Sequence, residues 1–214
     1  MKGKPMIMGE TMESLLCDET SALRLDASFA ELILESFKQA AVSFSTLLQR
    51  DMVVLRCKIK LMTGEQFIGQ MEDRMEEGYF ASVISIENRV NTSIVFLLTE
   101  NEGRQLYAAL HPDGPTIPVF EDMKDIIGEL NNILGNTIVS GMANALKWEI
   151  HGSVPKNIFD LLGAILESLI LQDEFANEEI LCAEADIMDS TNEAFKVRLM
   201  VMLKKTQMLE LWGR

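Results

Sequence analysis

The chain has 214 residues, 48 % of them hydrophobic, and a formal net charge of −14. That apolar content fills a sizeable core and excludes a disordered chain. The acidic balance argues against nucleic acid, whose binding rests on Lys and Arg neutralising phosphates, and against an anionic membrane surface.

Residues 1–25 read as an N-terminal extension without strong periodicity, and residues 1–16 lack the continuous apolar stretch of a signal peptide. No run of roughly 18 apolar residues occurs anywhere. Cys17, Cys57 and Cys182 are odd in number and far apart, which suits buried free thiols in a reducing compartment. A cytoplasmic protein is expected. The periodicity over Ser28–Leu48 predicts a helix with Phe29, Leu32, Ile33, Phe37, Ala40, Ala41, Phe44 and Leu48 on one face. Met52–Met62 reads as a strand, with Thr63-Gly64-Glu65 as a hairpin turn into Gln66–Met71. Phe80–Ile86 and Thr92–Leu98 read as two more strands. Thr99 followed by Glu102 is a capping box that opens a helix to about Leu110. The loop His111-Pro112-Asp113-Gly114-Pro115 is the clearest boundary in the chain.

A long helix follows over Met123–Leu146, its apolar stripe running through Met123, Ile126, Ile127, Leu130, Ile133, Leu134, Ile138, Met142 and Leu146. A short strand is expected around Lys147–Ile150, a turn through Gly152 to Pro155, and a helix over Lys156–Leu171. Ile180–Met188 and Phe195–Leu203 read as strands joined by a polar turn. Thr206 is placed to cap a last short helix to Trp212. Hairpin-joined strands and long helices give an α+β fold, a largely antiparallel sheet with two long helices packed on it. The element order repeats, and a shift of 97 sets Val139 and Ser140 against Val42 and Ser43. We therefore expect one domain over 26–214, built from pseudo-repeat halves of about 26–118 and 119–214.

On the long helix, Asp125, Glu129, Asn132 and Asn136 share a sector only about 60° wide at about 100° per residue. A solvated face is the plain reading of such a row. Against it, Asn131, Asn132 and Asn136 are poor helix formers placed in the middle turns. Gly128 and Gly135 flank them, weakening the helix and, on this reading, clearing the ridge of bulky side chains. A helix selected for stability alone would carry Lys, Glu or Ala there. The spacing is Asp125-x3-Glu129-x2-Asn132-x22-Pro155.

That phrase, with the passage Ser153-Val-Pro-Lys-Asn-Ile-Phe-Asp-Leu-Leu-Gly-Ala-Ile after it, resembles the CheC and CheX family of chemotaxis phosphatases. The likeness is strong from Phe120 to Gln172 and weak over 26–110. It implies a CheC-like fold and hydrolysis of the aspartyl phosphate on a CheY-like response regulator. The partner supplies Mg²⁺ and a Lys, so no cofactor or metal is expected in this chain. Asn132 is implied to orient the attacking water. A carboxamide accepts from water through its oxygen and donates through its NH₂, but it cannot act as a base. Glu129 is implied to pair with the partner's Lys. Asp125, Asn136 and Pro155 support, Pro155 through a locked φ that suits a turn or the first turn of a helix. In the first half the shift of 97 puts Ser28, Leu32, Glu35 and Lys58 at the motif positions, so a single site in the second half is expected.

The resemblance leaves other partners open: a CheD-like deamidase bound by a docking module without turnover, a second copy of the chain in a homodimer, or a place in a flagellar switch. No Gly-rich phosphate loop occurs, and His111 and His151 are far apart in loops.

Overall fold

The computed structural model describes residues 27–86, 92–114, 119–147, 149–172, 175 and 178–207. The N-terminal extension, Cys17, Pro115, Trp148 and Trp212 lie outside them. In chain order the elements are α1 (Ala27–Leu48), β1 (Met52–Thr63), α2 (Gly64–Gly69), a 3₁₀ turn (Glu72–Arg74), β2 (Gly78–Ile86), β3 (Thr92–Thr99), α3 (Glu100–Leu110), α4 (Phe120–Leu146), β4 (Lys156–Leu161), α5 (Leu162–Gln172), β5 (Glu179–Asp189) and β6 (Asn192–Lys204).

The strands form one six-stranded sheet in the order β1-β5-β6-β3-β2-β4. Neighbouring strands pair antiparallel throughout, with Phe96 opposite Leu199 at the centre. The first half runs α1-β1-α2-β2-β3 and the second α4-β4-α5-β5-β6. Exchanging β1 with β4, β2 with β5 and β3 with β6 reverses the sheet order and leaves it otherwise unchanged. The duplication is therefore built into the sheet: the edge strand of each half pairs with an inner strand of the other.

Alternation along the strands splits the core in two. On one face Phe80, Ile84, Ile94, Phe96, Ala185, Ile187, Leu199 and Val201 meet α1, α3 and α4. On the other, Tyr79, Val83, Val95, Leu97, Cys182, Met200 and Met202 meet α2 and α5. Met52, Met62, Met71, Met123, Met142, Met188, Met200 and Met202 are all buried, as gap-filling core side chains. Cys57 and Cys182 are free and buried. Burial pushes the Cys57 thiol up to about 12, with help from the Glu184 charge, and raises Cys182 for the same reasons. No helix among the described residues is long and apolar enough to cross a membrane.

Three expectations need correction. Thr63-Gly64-Glu65 opens α2 rather than a hairpin: the Thr63 hydroxyl accepts from the Gln66 amide at 3.2 Å, and the Gln66 side chain returns to the Thr63 N–H at 3.0 Å. That reciprocal cap satisfies two orphan donors, and a helix follows. Residues 147, 149 and 150 form no strand; the chain meets the sheet only through a bridge between Gly152 and Ile86. The helix expected over Lys156–Leu171 begins only at Leu162, because Lys156–Leu161 is β4, an edge strand pairing Asn157 with Ser82 and Phe159 with Phe80. Ile158 packs towards one core and Phe159 towards the other, the two-residue alternation of a strand. Residues 205–207 are helical after β6, where α3 follows β3, and the Thr206 hydroxyl bonds Glu178 at 3.1 Å. The rest of the helix expected to Trp212 lies outside the described residues.

Candidate active site on helix α4

α4 packs on the sheet and across α1, where the Ser43 and Thr137 hydroxyls lie 3.3 Å apart. Met123, Ile127, Leu130, Leu134, Ile138 and Met142 are buried beneath it. The opposite side carries Asp125, Glu129, Asn132 and Asn136, all exposed. The Asn136 Nδ2 donates to the Asn132 Oδ1 at 2.9 Å, which orients the Asn132 carboxamide along the helix. Asp125 and Glu129 have no ion-pair partner among the described residues. The nearby Lys124 instead faces Glu121 at 3.4 Å. The ridge is thus an anionic stripe with one fixed carboxamide and an unmatched carboxylate one turn before it.

The glycines do a different job from the one expected. Gly128 and Gly135 are buried on the inner side of α4 rather than on its ridge. A Cβ on Gly128 would stand 2.0 Å from the Asn157 Nδ2, and one on Gly135 would stand 2.5 Å from the Ile84 Cδ1. Both let the sheet approach the helix backbone. Ile133, counted in the buried stripe, is 37 % exposed beside Asn132.

Asn131 is also not a ridge residue. It is fully buried, and its Nδ2 donates to the Ser82 Oγ at 3.0 Å. Ser82 in turn donates to the Asn157 Oδ1 at 2.7 Å. This chain of three polar side chains joins α4, β2 and β4 directly behind Glu129 and Asn132. The Asn131 Oδ1 has no partner among the described residues. The sequence contained one signal for this arrangement: at about 100° per residue Asn131 points well away from Asn132.

The segment that carries Pro155 runs beside α4. Ahead of it, Ser153 is stapled to β2: its N–H donates to the Ser85 carbonyl at 2.8 Å, and its Oγ accepts the Ser85 N–H at 3.0 Å. At one end of this segment Gly152 passes Asn136, whose Oδ1 would be 3.8 Å from a Cβ there. At the other end Asn157 sits against Gly128. Val154 and Pro155 lie between, carried past the level of Asn132. Pro155 precedes an edge strand rather than a helix, a position where its missing N–H leaves no ladder bond unmade. Val154 is 84 % exposed.

On α1 the exposed face carries Glu31, Glu35, Lys38 and Gln39, with the Gln39 amide donating to Glu35 at 2.9 Å. At the motif positions of this half Leu32 is half-buried, while Glu35 and Lys58 are exposed.

Comparison of the whole structure with solved proteins places the fold. It matches Thermotoga maritima FliY with a TM-score of 0.65 at 13 % identity, over 89 % of this chain and 97 % of that one. It matches the chemotaxis protein CheX of Desulfovibrio desulfuricans with a TM-score of 0.54 at 13 % identity, over 81 % and 99 %. The middle domain of FliM from H. pylori gives 0.55 at 8 % identity, over 86 % and 92 %. The chain therefore has the CheC-like fold shared by CheX proteins, FliY and FliM middle domains. No protein-family model matches the sequence, and comparison with curated proteins gives no match.

Proposed function

We propose that this chain is a phosphatase for the aspartyl phosphate of a CheY-like response regulator. The observation that carries the reading is the exposure of Glu129 and Asn132 on one ridge of α4, with the Asn132 carboxamide held by Asn136. An aspartyl phosphate sits in its own protein's pocket beside that protein's Mg²⁺ and Lys. The chemistry still lacking is a water placed in line with the breaking P–O bond. Asn132, projecting from a rigid helix, reaches into such a pocket and holds that water by hydrogen bonds, a positional contribution. Glu129 enters beside it and pairs with the partner's Lys, which fixes the register of the two proteins. Asp125, a turn earlier, extends the anionic contact. Pro155 and the stapled segment before it shape the wall.

The chain supplies no metal in this scheme, and its acidic ridge is matched to a cationic rim on the partner. The test is the decay of a phosphorylated receiver domain. Asn132→Ala is expected to keep the fold and slow the assisted decay by about 10²-fold, the loss of one preorganised polar group. Equal rates for the two proteins would refute the assignment.

A second reading has support in the fold. FliY and the FliM middle domain share this architecture, and the α1 face lacks the motif. On that reading the chain is a docking module without turnover, holding a phosphorylated receiver domain or a CheD-like deamidase, or serving in a flagellar switch. Among the described residues β1 and β4 are the edge strands of the sheet, the places where a second copy could pair. Unassisted decay in the presence of a tightly bound chain would favour docking over catalysis.

A further inference from the structure

The face of the sheet turned away from α4 holds a second polar feature. Met71, Leu97 and Leu162 line a small cleft of about 40 Å³, open to solvent, together with Arg74, Tyr79, Thr99, Glu102, Lys196 and Arg198. The carboxylates around it are already engaged. Glu102 turns back on its own helix start, where its Oε2 accepts from the Thr99 N–H at 2.8 Å and the Thr99 hydroxyl at 2.9 Å. Asp186 accepts from the Arg198 Nε at 2.9 Å and from the Arg56 Nη2 at 2.6 Å. Glu184 lies 3.9 Å from the same Arg198 Nε. Glu77 faces the Tyr79 hydroxyl at 3.5 Å.

Donors are left over. Arg198 makes its ion pairs through Nε, so its two terminal nitrogens remain for the pocket. Among the described residues the Arg74 side chain bonds only the Tyr79 hydroxyl, at 3.4 Å. Lys196 makes no hydrogen bond or ion pair among the described residues. A cation would meet three positive charges in such a site, and a wholly apolar ligand would strip water from them without replacing it.

We propose that this pocket binds a small anion with a phosphate or carboxylate head, held between Arg74, Lys196 and Arg198 with its non-polar part on Met71, Leu97 and Leu162. The enclosed space is about 40 Å³, room for a few waters and so for one small head group, with any tail lying outside it. The net charge of −14 repels anions at long range. That field is screened beyond about 8 Å at physiological salt, whereas the three donors act at contact. Nothing in this inference rests on the reading of α4.

The experiment is a titration of the full chain with inorganic phosphate, and separately with acetate, at constant ionic strength, followed through the amide resonances of Tyr79, Thr99 and Arg198. Wild type is expected to show saturable shifts. The double variant Arg74→Ala/Lys196→Ala, which leaves the Arg198–Asp186 pair intact, is expected to bind at least about tenfold more weakly, since two charge-assisted bonds are lost. Saturation by phosphate alone, or by acetate alone, identifies the head group. If neither anion saturates the wild type, or if the double variant binds as well as wild type does, the proposal is overturned.

Discussion

α1 and α4 occupy equivalent places in the two halves, yet they are built to different ends. α1 contains neither Gly nor Asn, and buries Phe29, Ile33, Phe37 and Phe44 against the sheet. α4 carries Gly128, Gly135 and Gly141 and four Asn residues in its 27-residue span. Each interior Gly weakens a helix by roughly 0.5–1 kcal/mol against Ala. Behind α4 lies a buried polar chain; on α1 the buried Ser36 hydroxyl instead donates within its own helix, to the Leu32 carbonyl at 2.8 Å. A duplicated architecture needs only one half to be optimised for packing. The other tolerates a weaker helix if that weakness brings polar groups and close backbone approach to one place. On the proposed function α4 is the working helix and α1 its support.

The largest expected effect tests that contrast directly. Asn132→Ala should slow decay of a phosphorylated receiver domain by about 10²-fold, whereas Glu35→Ala, at the corresponding place on α1, should leave it unchanged. A comparable loss from both substitutions would mean that the two faces act together, and the comparison would fail. Next is Gly128→Ala. On an ordinary helix this change stabilises by up to about 1 kcal/mol. Here the new Cβ would drive into the Asn157 amide, which Ser82 holds in place. We expect a net loss of about 1–3 kcal/mol, read from the urea midpoint, because the neighbour cannot move without unmaking a buried bond. A midpoint that rises would show that the polar chain behind α4 is not rigid.

The same contrast explains what the sequence revealed and what it hid. α1, α4 and the hairpin pairs β2–β3 and β5–β6 were legible because long runs of one period were closed by turn or cap signals. The exposed row of Asp125, Glu129, Asn132 and Asn136 followed from helical spacing alone. β4 was not legible: Lys156–Leu161 joins α5 without a break, and its apolar residues satisfy a helical spacing as well as a strand's. Only pairing to β2 decides, a contact between residues about eighty apart in the chain. The role of Gly128 was hidden for the same reason, since its constraint comes from Asn157 on another element. The phase of Asn131 on the helix set it apart from the ridge, but its partner Ser82 lies on another element and was hidden.

A smaller effect is expected from pH, on the sheet face that carries no part of the α4 site. Burial works to raise the Asp186 carboxyl, but the hydrogen bond and charge of Arg198, with Arg56 and Lys196, outweigh it and hold the group below the usual carboxylate value. A carboxyl depressed in the folded state adds stability that is present above its unfolded value, about 3.9, and is lost as pH falls through the folded value. The gap in Tm between wild type and Asp186→Asn should therefore be full near neutrality and shrink below about pH 4. Phosphatase activity at neutral pH should be the same in both. A gap that stays constant with pH would show that the Arg56–Asp186–Arg198 row contributes through packing alone.

The smallest expected effect separates holding the partner from acting on it. Val154 is an aliphatic side chain left 84 % exposed on a segment that hydrogen bonds from Ser153 fix to β2. Exposed Val on a mobile loop needs no explanation, but here the backbone is stapled on one side and stiffened by Pro155 on the other. Its side chain is thus offered at a fixed point beside the level of Asn132. Such a pre-positioned apolar contact strengthens association without touching the reacting atoms, because little ordering remains to be done on binding. Val154→Ser removes the contact without changing the charge of the ridge. It should raise the KM for phosphorylated receiver about three- to tenfold, equivalent to about 1 kcal/mol, with kcat unchanged. A fall in kcat at constant KM would place Val154 among the groups that shape the water, and the line between the two roles would have to be redrawn around Asn132.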